Sequence, residues 1–293
     1  MFKNLILYRM NSKPISYGDI DAFLSADAFV PCGASQEKSI GWVPPRGEAH
    51  GALLESVGGQ WIAKLMTETK AVPGNVITKK AQERAKQIEA TTGRKPGKKE
   101  MRDIKEDLKL ELLPFAFPKE SAALVWIDPT AMLLGIAASS HSKADEVVTM
   151  LVKAIEGLSV SPLTTNVSPT SAMSAWLITQ EAPAGFTVDR ECELKAADES
   201  KATIKYGKHP LGIDEVMAHV EAGKLPTKLA LTWDGRVSFV LTEGMQIKKI
   251  EFLDVVLNES NSSEYSDSFD ANVAIATGEL SRLIPDLLEA LGG

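Results

Sequence analysis

Four histidines, two cysteines and one basic turn are the residues of this chain whose types invite a chemical reading. His50, His141, His209 and His219 stand apart, none within HExxH and none paired with a cysteine at zinc-ligand spacing. Cys32 and Cys192 fit no CxxC pattern and read as free, buried thiols. Neither GxSxG nor a GxGxxG after a strand is present. Gly93-Arg94-Lys95-Pro96-Gly97-Lys98-Lys99 has the look of a phosphate-binding loop. Three residues separate its glycines rather than four, Lys99 stands where Ser or Thr would hold Mg²⁺, and a helical pattern precedes it instead of a strand. Asp267 and Asp270 could ligate a cation, and a solvated loop accounts for them equally well. No catalytic set assembles, so no metal or cofactor is expected and the chain reads as a non-enzyme. An unrecognised nuclease or NTPase is the outlying alternative.

What remains is charge. Between Lys79 and Lys109 there are eleven Lys or Arg against six Asp or Glu, in a chain of formal net charge −7. From Glu251 to the end, nine acidic residues face Arg282 alone, so the two signs are separated along the chain. Lys98, Arg102, Lys105 and Lys109 follow the spacing i, i+4, i+7, i+11 and share one helical face. Glu100, Asp103, Asp107 and Glu111 fall roughly opposite. A helix built for its own stability would alternate signs at i, i+4. Here Lys98–Arg102 and Lys105–Lys109 are like-charged neighbours, offset in part by Lys99–Asp103 and Arg102–Glu106. Such a stripe is either a solvated face or a surface held toward a polyanion.

The elements that would position it are two amphipathic helices. Ile77, Ala81, Ala85 and Ile88 form one apolar stripe, and Met101, Ile104, Leu108 and Leu112 form the other. Gly93 suits a helix C-terminus and Pro96 cannot continue one, so the pair reads as a helical hairpin. Leu113-Pro114-Phe115-Ala116-Phe117-Pro118 ends it. Its phenylalanines call for burial, in the core or in a subunit contact at the base of the arm.

Around this arm, Phe2–Met10 and Gln60–Val72 read as strands, with a helix capped by Ser16 or Asp19 between them. Gly41-Trp42-Val43-Pro44-Pro45 reads as a stiff extended anchor. Residues 122–128 and 132–138 form a β-hairpin, 143–155 and 171–179 helices, and 160–163 a short strand. Phe186–Leu194 and Ala202–Tyr206 are further strands. Were Lys201–Tyr206 extended, Lys201 and Lys205 would share a face, with Lys208 close by. A helix stopped by Gly223 follows. Then come three strands, Lys228–Trp233, Val237–Leu241 and Ile247–Leu253, joined by an Asp234-Gly235 hairpin turn. A polar loop over Asn258–Asp267 leads to a last helix, expected to be capped by Thr277 and kinked at Pro285. The divisions are 1–74, an N-terminal α/β part; 75–113, the basic arm; 114–165, a β-hairpin and helix packing on 1–74; and 166–293, a C-terminal α+β part. The fold class is α+β, with mixed, largely antiparallel sheets. No signal peptide or membrane span is evident, and a reducing cytoplasm is expected.

Read in order, several uncommon strings resemble one family, the bacterial recombination-associated protein RdgC. They are Phe2-Lys3-Asn4-Leu5, Gly41–Pro45, Leu112–Phe117, Trp126–Asp128, His219–Lys224, Lys228–Leu231, Thr277–Leu280 and Leu291–Gly293. The resemblance implies a non-enzymatic protein that binds double-stranded DNA, with single-stranded DNA a further ligand, without regard to sequence. It implies two curved subunits closed into a ring-shaped homodimer around DNA, restraint of a recombinase, and a nucleoid location. Arg94, Lys98 and Lys208 match basic positions of that pattern, and Phe117 its aromatic. Pro96 and Gly97 depart from it at the turn. The expected DNA-binding residues are Arg94, Lys95, Lys98, Lys99, Arg102, Lys105, Lys205 and Lys208, and the expected dimer contacts are Phe115 and Phe117. The alternative is a protein-interaction scaffold whose basic hairpin docks an acidic partner.

Overall fold

Leu5-Ile6-Leu7-Tyr8 is apolar on both sides of its pleat, and β1 (Asn4–Met10) buries both. Leu5 and Leu7 enter one core, Ile6 and Tyr8 another on the opposite face. The computed structural model describes residues 1–11, 16–256 and 269–293. Its strands form a twelve-stranded sheet in which every recorded strand pairing is antiparallel.

On one side of β1 lie β6 (Leu133–Ile136), β5 (Pro118–Asp128), β4 (Gln60–Lys70) and β2 (Lys38–Val43), with β3 (Leu54–Val57) also on β4. On the other lie β12 (Gln246–Phe252), β11 (Val237–Thr242), β10 (Lys224–Trp233), β8 (Phe186–Ala196) and β9 (Thr203–Gly207), and β7 (Val160–Pro162) also pairs with β1. α1 (Tyr17–Ala26) and α4 (His141–Ala154) cover one face of the first half, and Tyr8 donates a 3.2 Å hydrogen bond to Asp145 on α4. α5 (Pro169–Thr179), α6 (Asp214–Glu221) and the last helix, α7 (Phe269–Ala290; α2 and α3 are given below), pack on the opposite face.

The motif residues hold these layers together. Trp126 is fully buried, and its indole donates to Gln60 at 2.7 Å. Asp128 accepts from the backbone N–H groups of Thr130 and Ala131 and so closes the β5–β6 turn. Gly41 lets the segment carrying Phe29 approach β2 closely, bridged to it in parallel through Ala28 and Trp42: a Cβ at position 41 would lie 2.5 Å from the Cα of Phe29. Trp42 beside it is fully buried, and its backbone hydrogen-bonds Asp27 and Phe29. The anchor is therefore a strand with a short segment bridged to it in parallel, and the two prolines begin only after it ends.

Several expectations change. Ser16, not Asp19, caps α1, its hydroxyl accepting from the Asp19 N–H. Thr277 lies inside α7, where its hydroxyl bonds the Val273 carbonyl, because the helix starts a full two turns earlier at Phe269. Lys201 is a turn residue with φ 48°, outside β9. The polar loop expected over Asn258–Asp267, and with it Asp267, lies outside the described residues.

Gly41→Ala is expected to destabilise the protein by about 1–3 kcal/mol, since backbone rather than a flexible side chain blocks the added methyl. A urea midpoint equal to that of the wild type would show that the close approach can yield.

Candidate functional site

The basic stripe lies on a helical hairpin inserted between β4 and β5. α2 (Gly74–Thr92) ends at Gly93, whose φ of 72° is the left-handed conformation a C-terminal glycine supplies. After Arg94, Lys95 and Pro96, α3 (Lys98–Leu112) begins. Ala81, Ile104 and Leu108 form a small core between the two helices, flanked by Ile77, Ile88 and Met101. Arg84 on α2 bridges to Glu111 on α3 at 3.1 Å. At the foot of the pair, Lys109 reaches Glu37 at 2.6 Å and Leu113 is fully buried. The hairpin thus has an interior of its own and is tied to the sheet at its foot.

All six expected residues of this hairpin are exposed. Their charges are not equally available. Arg94 pairs with Glu100 at 2.9 Å and Arg102 with Glu106 at 3.1 Å, while Lys95 approaches Glu89 at 3.8 Å. The Arg94 guanidinium holds the Glu100 carboxyl below the usual carboxylate range. Lys98, Lys99 and Lys105 have no recorded acidic partner among the described residues. The expected Lys99–Asp103 offset is not among the recorded ion pairs, and Glu100 turns to Arg94 instead. Three lysines of α3 are therefore left without an acidic partner among the described residues, as are the exposed Lys79, Lys80 and Lys86 of α2.

Lys205 and Lys208 belong elsewhere. Lys205 is on β9, seven strand spacings from β5, about 34 Å along the sheet at 4.8 Å per strand. It bonds Glu193 at 3.1 Å, and Lys228 bonds the same carboxylate at 2.9 Å. Lys208 is exposed in the turn after β9, with φ 55°. Burial pushes the Glu193 carboxyl up, but hydrogen bonds from Lys228, Lys205 and Thr227 outweigh it and bring the group down to about 2. Cys192 beside it is buried, and burial together with the Glu193 charge pushes its thiol up to about 12. Cys32, expected buried, is only half-buried.

Phe115 and Phe117 are not in the core: 81% and 93% of their surfaces are exposed. Leu113–Phe115 is a single 3-10 turn with Pro114 at its start, Ala116 after it is extended, and Pro118 opens β5, so both rings lie on a short connection at the foot of the arm. Leu110 on α3 is 57% exposed and adds to the apolar surface of this part of the chain. It escaped the sequence reading because it lies off the apolar stripe. Lys228, Lys248 and Lys249 were also passed over as site residues, although the alternation of Lys228, Ala230 and Thr232 with Leu229, Leu231 and Trp233 separates a polar from an apolar face. Among the described residues, no group of three or more His, Cys, Asp or Glu side chains is gathered as a metal site, and no helix is long and apolar enough to cross a membrane.

Glu193 has a lower pKa folded than its ordinary 4.5, so its ion pairs add stability above about pH 4.5 that is lost as the pH falls through about 2. Urea midpoints across that window should fall less steeply with pH in Glu193→Gln than in the wild type. Equal slopes would mean that the carboxylate gains nothing from its lysines.

The whole chain, residues 1–293, matches the family model described as "RdgC: Putative exonuclease, RdgC". It is 46% identical to the "Recombination-associated protein RdgC" of Dechloromonas aromatica (strain RCB), over 100% of this chain and 97% of that protein. To the proteins of the same name from Cupriavidus necator and Herminiimonas arsenicoxydans it is 43% and 42% identical, over 100% of this chain and 98% of each.

Proposed function

Because the chain belongs to the RdgC family, we propose that it is a recombination-associated protein that binds double-stranded DNA without regard to sequence. The observation that carries this is the lysine set of α3: Lys98, Lys99 and Lys105 are exposed and lack a recorded acidic partner among the described residues, in a chain of net charge −7. Concentrated cationic charge on an acidic molecule favours a polyanion over a general surface. Lysines meet phosphates as point charges and read no base edges, so the affinity they supply carries no sequence choice. Arg94, Lys95 and Arg102 join them by exchanging carboxylate partners for phosphates, as does Lys205 at the far end of the sheet, with the exposed Lys208 near it in sequence. Single-stranded DNA is a secondary ligand on the same charges.

The working form in this reading is a ring-shaped homodimer around the duplex, closed in part through Phe115 and Phe117. An exposed pair of phenylalanines flanked by prolines is costly in water and gains by being covered. Encircled DNA is a poor track for a recombinase filament, so the protein restrains recombination from the nucleoid by occupying the substrate. The words "putative exonuclease" in the family description name a turnover. Our reading is binding without strand cleavage, and it falls if end-labelled duplex with Mg²⁺ yields shortened product.

Fluorescence titration with unrelated duplexes should give similar affinities for all of them. Binding to an acidic protein partner but to no duplex would favour a scaffold. Changing Lys98 and Lys105 together to Ala should weaken binding equally for every sequence and lower the salt slope by up to about 2 units. Stability should stay within about 0.5 kcal/mol. If the double variant keeps its affinity and slope, the stripe is merely a solvated face. Phe117→Ala should raise the dimer dissociation constant at least about tenfold, read by light scattering across a dilution series. A wild type that is monomeric at micromolar concentration would sink the dimer.

A further inference from the structure

The sheet carries a second cluster of cations, away from the hairpin. Over β8–β12 one face packs against α5, α6 and α7 through Leu194, Leu229, Leu231, Phe239 and Leu241. The opposite face is where α1 and α4 lie on the first half of the sheet, but none of the described helices contributes to a core over it here. That bare face holds a cavity of about 410 Å³, and Lys205, Lys228, Lys248, Lys249, Glu191 and Glu193 are among its lining residues. Four lysines thus meet two glutamates.

A deformation of β12 places two consecutive lysines there. Ser238 pairs with Glu251 but Val240 with Lys248, so two residues of β12 oppose one of β11. Lys249 takes φ 53° within this bulge. In a regular strand Lys248 and Lys249 would point to opposite faces; the extra residue turns both into the cavity. Glu191 holds Lys249 at 2.5 Å, and Glu193 holds Lys205 and Lys228 at 3.1 and 2.9 Å. Lys248 has no recorded acidic partner among the described residues.

We propose that this open sheet face is a second phosphate-binding surface, in which the Glu193 carboxylate stands in for a DNA backbone phosphate until one arrives. The inference rests on the DNA-binding reading above and adds Lys228, Lys248 and Lys249 to its contacts. A carboxylate and a phosphodiester oxygen accept the same charge-assisted hydrogen bonds from an ammonium group. Glu193 keeps Lys205 and Lys228 extended over the cavity and lowers their charge toward other anions. Its persistence as a carboxylate, with a pKa near 2, makes it a competitor at every physiological pH. Glu193 is then a positioning residue with a cost in affinity, and Lys248 is the open contact.

Titrations of unrelated short duplexes at several salt concentrations test this with three variants. Glu193→Gln should bind about two- to fivefold more tightly than the wild type, the scale of a partly exposed ion pair. Glu221→Gln, which makes the same change in net charge on α6 behind the sheet, should change affinity less. Lys248→Ala should bind more weakly, with a salt slope lower by about 0.9. The proposal is overturned if Glu193→Gln melts as a folded protein and binds no better than Glu221→Gln. It is overturned equally if Lys248→Ala keeps affinity and slope; this second variant decides the matter should Glu193→Gln not fold. A wild type that binds duplex with all these variants unchanged removes this surface alone. A wild type that binds no duplex removes the DNA reading, and this surface with it.

Discussion

A strand that is apolar on both faces has to be covered on both faces, and β1 places that demand at the middle of the sheet. Exposing either side of Leu5-Ile6-Leu7-Tyr8 would leave large side chains in water, at roughly 1.5–3 kcal/mol each. α4 answers for Ile6 and Tyr8, and α5 to α7 for the Leu5 and Leu7 side. Because helices from the two ends of the chain cover opposite faces, the covering is staggered rather than complete. Around Leu5, Ile62 and Trp126 the first half of the sheet is packed on both sides, and the second half keeps one face bare. That bare face is therefore a by-product of where α1 and α4 fall in the sequence. A polar surface bearing Lys205, Lys228 and Glu193 is what such a face must carry to remain in water.

The helical hairpin follows a different logic. It is an excursion from the β4–β5 pair, whose register runs without a break from Trp61–Ile127 to Lys70–Pro118. The sheet does not need the helices, and the helices have only Ala81, Ile104 and Leu108 fully inside. With so little apolar burial, ion pairs such as Arg84–Glu111 and Lys109–Glu37 contribute a larger share of its order than ion pairs do elsewhere. Exposed pairs of this kind weaken as salt rises. The order of the hairpin thus responds to ionic conditions, and the hairpin also carries the unpaired Lys98, Lys99 and Lys105.

Much of this architecture was readable in the residues. The period of Ile77, Ala81, Ala85 and Ile88 located α2, and Gly93 marked its end, because helix geometry and a left-handed cap are local properties. The meander from Lys228 onward was equally local, and Asp234 and Gly235 both take the positive φ that such a turn needs. What escaped was nonlocal. Thr277 looks like a helix start, yet the apolar face of α7 extends back through Val273, buried against strands whose position no local pattern reveals. Phe115 and Phe117 call for burial, and the sequence left the core and a subunit contact both open. Only their exposure in the fold shows that none of the described residues covers them. Of the site, the charges were legible but their partners were not. The pairing of Arg94 with Glu100, and of Lys205 with Glu193 across two strands, depends on register and on rotamers rather than on spacing.

The pairing of β1 with β12 has a consequence for synthesis. Asn4 through Ile6 pair with Lys248 through Gln246, at the opposite end of the polypeptide. A ribosome delivers β1 first and β12 among the last segments. β6 and β7 become available on the way, so the first half can assemble around β1 and cover Ile6 and Tyr8. Part of the remaining edge of β1, with Leu5 and Leu7 uncovered, then waits for well over half the chain to be made. An unpaired apolar edge is a template for any other strand nearby. The nascent chain is therefore most prone to aggregation late in translation, when its first half is already folded. A chaperone that shields extended apolar segments would act on it there, at the centre of the future sheet rather than at its rim.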